Sequence, residues 1–311
     1  VLPRPAALNI APDLLLRAAA EAAGTQQYPA GALYVVATPI GNLADLTLRA
    51  IHVLATVDAV ACEDTRVSAG LLRHLGLDKP LIALHQHNET RAAALVLQRL
   101  AQGQRVAYVS DAGTPAVSDP GAALVAQVAA AGCRVLPIPG ASSALAALSV
   151  AGDARSSGFE FIGFLPARGA ERAAALRRLS EGTRAQLLFE APHRIEALAR
   201  ELATLAPLRT LTLCRELTKQ FETVATLPAA QLPAWLAADP NRQRGEFVLV
   251  LHAPPPAEAA GDGLPAAALP MLAVLLRELP LKQAVSLAAE LSGAPRNALY
   301  QAALQRKANA G

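Results

Sequence analysis

From Ala32 onward the chain alternates short runs rich in Val, Ile, Leu and Tyr with longer stretches whose apolar positions recur every three or four residues. The first pattern fits strands and the second amphipathic helices, and their alternation predicts a parallel sheet covered by helices. Strands are expected at 33–38, 58–62, 81–84, 105–110 and 134–138, with helices near 46–55, 66–75, 89–102, 121–131 and 142–150. Asn88 is a suitable N-cap for the third helix. Small and polar residues at 152–158 mark a joint. Beyond it, strands are expected at 159–165, 186–189, 210–214, 222–227 and 246–252, with helices only at 170–180 and 194–205. Fewer helices separate these later strands, so the second sheet should be mixed or partly antiparallel. The resulting division is an extension over 1–30, α/β domains over 31–152 and 153–253, a linker over 254–263 that opens on Pro254-Pro255-Pro256, and a tail of three helical patterns over 264–311.

Of the 311 residues, 53% are hydrophobic and 17% charged, enough to bury a large core. The apolar stretches are broken by charge, Gly or Pro. The strongest, 264–276, contains Pro265 and Pro270, so no membrane span is expected. Residues 1–28, with Arg4, Asp13 and Arg17 spread through them, do not read as an export signal, and a cytoplasmic location is expected. A net charge of +3 is too small for gripping nucleic acid by overall charge, so any such partner must be held by local patches. Arg168, Arg172, Arg177, Arg178 and Arg184, with Arg242 and Arg244, form the candidate patches; a solvated helix face is the competing reading. The three cysteines Cys62, Cys133 and Cys214 read as buried free thiols. His85 and His87 lack a third ligand at metal spacing, and no metal is expected.

In an open α/β sheet ligands sit beyond the carboxyl ends of the strands. Three loops there are rich in Gly, Pro, Ser and Asp: 38–45 after the first strand, 110–121 after the fourth and 137–143 after the fifth. Each alone reads as a plain turn, but three on one sheet edge read as a ligand hollow. Neither a G-x-G-x-x-G after the first strand nor a phosphate-binding P-loop is present, which disfavours a dinucleotide or nucleoside triphosphate site. Backbone, small hydroxyls and one aspartate suit a ligand with a sugar and little phosphate, such as an adenosyl group.

Six motifs occur in order: Tyr34-Val35-Val36-Ala37-Thr38-Pro39-Ile40-Gly41-Asn42-Leu43, Cys62-Glu63-Asp64-Thr65-Arg66, His87-Asn88-Glu89, Ser110-Asp111-Ala112-Gly113-Thr114-Pro115, Gly163-Phe164-Leu165-Pro166 and Arg215-Glu216-Leu217-Thr218-Lys219. With them the chain resembles the tetrapyrrole-methylase superfamily, and within it the ribosomal RNA small subunit methyltransferase I family, over 32–252 and again in the helical tail. The resemblance implies two α/β domains of the class III methyltransferase type, a small C-terminal helical domain and a homodimer. It implies S-adenosylmethionine-dependent 2′-O-methylation of a cytidine ribose in the decoding centre of 16S rRNA, with the 30S subunit as partner. The cofactor-binding residues it implies are Pro39, Asp111, Ala112, Gly113, Thr114, Pro115, Ser142 and Ser143, with Phe189 and Ala225 on the wall of the second domain. The loop often reads Pro-Gly-Pro in that family; here it is Pro139-Gly140-Ala141, which should loosen one turn.

The donor's sulfonium is already electrophilic, so alignment of oxygen, methyl and sulfur comes first, with a base or a cation at the 2′-oxygen adding to it. Candidates for that work are Glu63, Asp64, His87, Glu89, Glu216 and Lys219. Asp64 is preferred as base, with Lys219 or Arg66 holding the oxygen or the adjoining phosphate. Glu63, His87, Glu89, Arg215 and Glu216 are assigned to substrate. Helix capping and a local ion pair compete with catalysis at Glu63-Asp64-Thr65-Arg66. Two rivals stay open: C-methylation of a tetrapyrrole, and a metabolite-sensing regulator whose tail reads nucleic acid.

Overall fold

The structure is a computed structural model that describes residues 11–85, 88–117, 121–255 and 268–308. Residues Val1–His252 form one compact unit and Ala253–Gly311 a second. In the first unit the chain runs α1 (Pro12–Ala23), β1 (Ala32–Val36), α2 (Leu48–Thr56), β2 (Ala59–Cys62), α3 (Thr65–His74), β3 (Leu81–Ala83), α4 (Glu89–Ala101), β4 (Val106–Val109), α5 (Gly121–Ala130), β5 (Arg134–Ile138) and α6 (Ser143–Ala151). The five strands make one sheet in the order β3-β2-β4-β1-β5, every pair parallel. Period-two alternation sets its two cores. Tyr34, Val60 and Val109 point to the face covered by α2 and α3, whereas Leu33, Ala61 and Tyr108 point to the face covered by α4 and α5.

Helix α1 was not expected. Leu15, Leu16 and Ala19 share one stripe and pack into the core under α2, so the extension carries part of the first layer. Asn88 stands at the expected N-cap of α4, but its side chain makes no cap bond. It accepts from His85 N at 2.8 Å and donates to Ala83 O at 3.0 Å, tying the helix start to the end of β3.

The chain continues through β6 (Phe159–Phe164), α7 (Gly169–Glu181), β7 (Ala185–Glu190), α8 (Ile195–Leu205), β8 (Thr210–Arg215), β9 (Thr223–Pro228), α9 (Leu232–Ala237) and β10 (Phe247–Leu251). These strands form a mixed sheet, β6-β7-β10-β8-β9, in which β6 and β7 are parallel and the other neighbours antiparallel. One face carries α7, α8 and α9, whose Leu176, Leu198 and Leu232 pack on Leu213 and Leu249 of the sheet. The other face, with Leu187, Cys214 and Val248, packs on Ala144, Ala147 and Ala151 of α6. An alanine-lined helix lets the two sheets approach closely, and this contact makes a single unit of both halves.

The second unit has its own core. Helices α10 (Ala268–Glu278), α11 (Leu281–Ser292) and α12 (Arg296–Ala308) meet through Leu272, Val285, Ala288, Leu299 and Ala303. Gly293, in the left-handed conformation, ends α11. Among the described residues no helix is long and apolar enough to cross a membrane. Cys62 and Cys214 are buried free thiols as expected, whereas Cys133 is only half-buried.

Candidate active site

Strands β4, β1 and β5 lie side by side, so the loops that follow them leave the sheet from one edge. They are stitched together by backbone. Thr38 N donates to Gly113 O at 2.9 Å, and Gly113 N returns a bond to Thr38 O at 3.1 Å. Thr38 Oγ1 donates to Ser110 O at 3.1 Å, and Thr114 Oγ1 to Ala141 O at 3.0 Å. Gly113 has φ +80°, a conformation that calls for glycine, and a Cβ there would also crowd Ile40 Cγ2 at 3.3 Å. The turn at Ala141, where the resembled family often has proline, is held by the Thr114 hydroxyl.

Between these loops opens a cleft of about 200 Å³. Asp111, Ala112, Gly113, Thr114, Ser142 and Ser143 line it, together with Glu63 from the loop after β2 and Phe189 of β7 from the second sheet. Ser142 also caps α6. Phe189 is fixed by edge-to-face contacts with Phe161 and Phe164, at 5.2 and 5.6 Å between centroids. A smaller recess of about 70 Å³ adjoins the cleft at Ala112 and Ser143 and is bounded by Ile40, Leu217, Glu246 and Val248.

Next to this recess the Arg215–Lys219 loop forms a knot of charge. Lys219 Nζ donates to Glu216 Oε1 at 2.9 Å and lies 3.2 Å from Glu246 Oε2. Glu216 Oε1 also accepts from Glu246 N at 2.9 Å. Burial works against the Lys219 charge, but the two carboxylates outweigh it and hold its pKa above the ordinary lysine value. Burial alone would raise the Glu216 carboxyl; Lys219 and the Glu246 amide outweigh it and hold it below the usual range. Glu216 and Thr218 both adopt positive φ, at 53° and 65°, a conformation that costs non-glycine residues energy and marks a loop held by its surroundings. The lysine stem crosses the first loop: a Cβ on Gly41 would fall 2.5 Å from Lys219 Cγ.

Asp64 occupies a different position from that of a free base. Its carboxylate accepts from Arg66 N at 2.8 Å as the N-cap of α3 and pairs with the Arg66 guanidinium at 2.6 Å. That guanidinium, with the Arg66 amide, pulls the Asp64 carboxyl down to about 2. Asp64 reaches the cleft through its backbone, whose N–H donates to Asp111 Oδ1 at 3.0 Å. Capping and ion pairing, the competing reading of this motif, describe what the side chains do.

Other expected residues lie elsewhere. Ala225 of β9 faces the helix-covered side with Leu227, because alternation along the strand turns it away from α6 and the cleft. Arg215 is buried, and its guanidinium donates to Arg244 O at 3.1 Å and Phe221 O at 3.0 Å, holding the charged loop in place. Pro39 joins Thr38 of the stitch to Ile40 of the recess, and Pro115 is buried behind the Gly113 turn. Glu89 stands in the first turn of α4, outside the cleft lining. His87 and 118–120 lie outside the described residues. Of the candidate RNA arginines, Arg172 is buried and bound to Glu201 at 2.6 Å, and Arg242 stacks on Trp235 at 4.3 Å. Arg168, Arg177, Arg178, Arg184 and Arg244 are exposed. Sequence reasoning missed Glu246; its only signal was a carboxylate next to Gly245 at the start of a strand.

Residues 32–233 match the family model for tetrapyrrole (corrin/porphyrin) methylases, and 262–307 match the RsmI C-terminal HTH domain. The chain is 49% identical over 282 residues to ribosomal RNA small subunit methyltransferase I of Pseudomonas aeruginosa, covering 89% of this chain and 98% of that one. It is 46% identical to the protein of the same name from Escherichia coli O157:H7, covering 89% and 96%. Among solved structures, the cobalamin biosynthetic enzyme cobalt precorrin-4 methyltransferase superposes with a TM-score of 0.56 at 17% identity, over 74% of this chain and all of that one. Diphthine synthase gives 0.54 at 17% identity, over 71% and 90%, so the two-sheet fold is shared well beyond close sequence relatives.

Proposed function

This chain belongs to the ribosomal RNA small subunit methyltransferase I family, and on that premise we propose that it methylates a ribose 2′-hydroxyl of 16S rRNA, at a cytidine of the decoding centre. S-adenosylmethionine is the donor and the 30S subunit the substrate particle. The observation that carries the reading is the stitched hollow: Gly113 bonded to Thr38, packed beneath Ile40 and facing Phe189 across the cleft.

The hollow fits the donor. Asp111 and the backbone at Ala112 and Gly113 would hold the adenosyl sugar and base edge, Thr114, Ser142 and Ser143 would supply small hydroxyls, and Phe189 would close the opposite wall. When bound, the donor supplies an electrophilic methyl on a sulfonium, so the protein's task is orientation and removal of one proton from the attacking hydroxyl. Lys219, kept charged by Glu216 and Glu246, places an ammonium beside the recess that can face the developing oxyanion. Asp64 and Arg66 fix the entry of α3 against Asp111 and act as positioning residues, with Glu63 left in the cleft wall. The exposed arginines Arg168, at the N-cap of α7, and Arg177 and Arg178 on that helix suit phosphate contacts to a structured RNA.

A homodimer is part of this reading, supported by the exposed apolar residues Phe159, Ile162 and Phe164 along the unpaired edge strand β6. A cytoplasmic location follows from a ribosomal substrate. The test is to incubate the protein with unmodified 30S particles and tritiated S-adenosylmethionine, then map the label by nuclease digestion and mass spectrometry. A single 2′-O-methylated cytidine in 16S rRNA is the expected product. Label on a base, or transfer only to a tetrapyrrole, overturns the reading.

A further inference from the structure

A hydroxyl that attacks a methyl group must lose its proton, and the carboxylates around the cleft are not equally free to take it. Asp64 is committed to the N-cap and to Arg66. One Asp111 oxygen accepts from Asp64 N. Glu216 accepts from both Lys219 and Glu246 N through the same oxygen, in a loop whose backbone is strained to hold it there. Lys219 stays protonated between its two partners and is a donor, not an acceptor. Glu246 differs from all of these. It stands at the start of β10, its side chain is 76% exposed, and Lys219 at 3.2 Å from Oε2 is the ion pair it makes. It also bounds the recess with Ala112 and Ser143, the two residues that this recess shares with the cleft. Its placement is built in from both sides: Glu216 N donates to Glu246 O at 3.0 Å, and Glu246 N bonds back to the Glu216 carboxylate. Gly245 must remain glycine for this, because a Cβ there would come within 2.6 Å of the Glu216 carboxyl group.

We propose that Glu246 is the general base of the transfer, working as a pair with Lys219: a carboxylate that takes the proton and an ammonium that faces the oxygen it leaves behind. The inference rests on the function proposed above. The 2′-hydroxyl gives its proton to Glu246. The oxygen lone pair forms the new bond to the methyl carbon, and the carbon–sulfur bond breaks with its electron pair returning to sulfur. The products are a methyl ether, neutral S-adenosylhomocysteine and a protonated Glu246 that releases its proton to solvent. Because Glu246 bounds the recess and is not part of the lining of the cleft that would hold the adenosyl group, its loss should slow the chemical step with little effect on cofactor binding.

The experiment compares the wild-type chain with Glu246→Gln and Glu246→Asp, using 30S particles and tritiated donor across pH, and measures S-adenosylhomocysteine affinity by calorimetry. The charged groups facing Glu246 are Lys219 and Glu216, and both remain in the variants. For Glu246→Gln the expected result is a kcat lower by roughly a hundredfold or more. Its S-adenosylhomocysteine affinity should stay within about threefold of wild type. The acid limb of the wild-type pH profile, where a base is lost by protonation, should vanish in this variant, and Glu246→Asp should recover part of the rate. A Glu246→Gln enzyme with wild-type kcat, or one that has lost S-adenosylhomocysteine affinity along with its rate, overturns the role. Wild-type protein that binds S-adenosylhomocysteine but transfers nothing to 30S particles sinks the functional reading itself, and the role with it.

Discussion

At the scale of single residues, the decisive distinction is between side chains that are committed and side chains that are available. Asp64 is committed twice over, as N-cap and as the partner of Arg66. Its folded pKa of about 2 lies below the unfolded value, so the cap and pair are fully present above the unfolded pKa and are lost as pH falls through the folded one. A carboxyl-carbon NMR titration should therefore give Asp64 a midpoint near 2, well below that of a free aspartate. Asp64→Asn keeps an acceptor oxygen at the cap and should retain methyl transfer to within about tenfold, whereas a loss of two or more orders of magnitude would return Asp64 to the role of base. Arg209 is committed in another way. Buried between α7 and β10, it donates to Leu179 O at 2.8 Å, Arg184 O at 3.0 Å and His252 O at 2.7 Å. Arg209→Ala removes all three bonds, leaving Leu179 O only its bond from Gly182 N, and should cost about 3 kcal/mol, roughly 6–12 °C in Tm by calorimetry. A Tm within a degree or so of wild type would mean that water replaces the guanidinium at no cost.

At the scale of elements, the site is a meeting of loops, and its contacts can be moved one at a time. Gly41→Ala places a methyl group against the flexible Lys219 stem and 3.0 Å from Thr218 Oγ1, at a φ of +157° that favours glycine, so the stem must shift at a modest cost in stability. The expected outcome is a fall in kcat of about tenfold or more with S-adenosylhomocysteine affinity unchanged and Tm lowered by only a few degrees, measured by transfer assay and calorimetry. An unchanged kcat would remove Lys219 from the chemistry. The same scale explains what could be read from the chain. All ten strands among the described residues were legible, because alternating or continuous apolar runs bounded by Gly, Pro and Asp are a local signal. The Asp111–Thr114 and Ser142–Ser143 parts of the cleft were legible because a parallel sheet brings successive loops to one edge. Helix α1 was missed although Leu15, Leu16 and Ala19 carry a helical stripe, since alanine-rich sequence blurs the contrast between faces. Ala225 was misplaced by one pleat, and strand phase is set by the partner sheet rather than by the strand itself. Arg172 and Arg215 looked free because nothing local announces that Glu201 or the carbonyls of Phe221 and Arg244 will meet them. Glu246 was invisible for the same reason: its neighbours Glu216 and Lys219 lie almost thirty positions away in the chain and arrive only when β10 pairs with β8.

At the scale of the whole molecule, the basic excess is densest in the C-terminal helices. From Leu264 to Gly311 the chain has five basic and two acidic side chains, which is the whole of the net charge of +3; the remainder is balanced. The unit that closes both sheets around the cleft carries 23 basic and 21 acidic side chains, Glu258 and Asp262 of the linker offset that small excess, and the stretch beyond them carries its five basic side chains on helices with a core of their own. On the proposed function, the first unit would hold the donor and perform transfer, while the basic helices would add affinity for the anionic substrate. Ending the chain after His252 tests it, because no core residue of the first unit lies beyond that point apart from the boundary alanine Ala253. The shortened protein should keep the S-adenosylhomocysteine affinity of the full chain to within about twofold and unfold cooperatively, as calorimetry would record. Its transfer to 30S particles should show a raised KM, with a shallower dependence of binding on salt, since fewer phosphates are neutralised. Loss of donor binding in the shortened protein would place part of the cofactor site in the helical unit. An unchanged KM and salt slope would leave recognition to the exposed arginines of α7 and to the cleft alone.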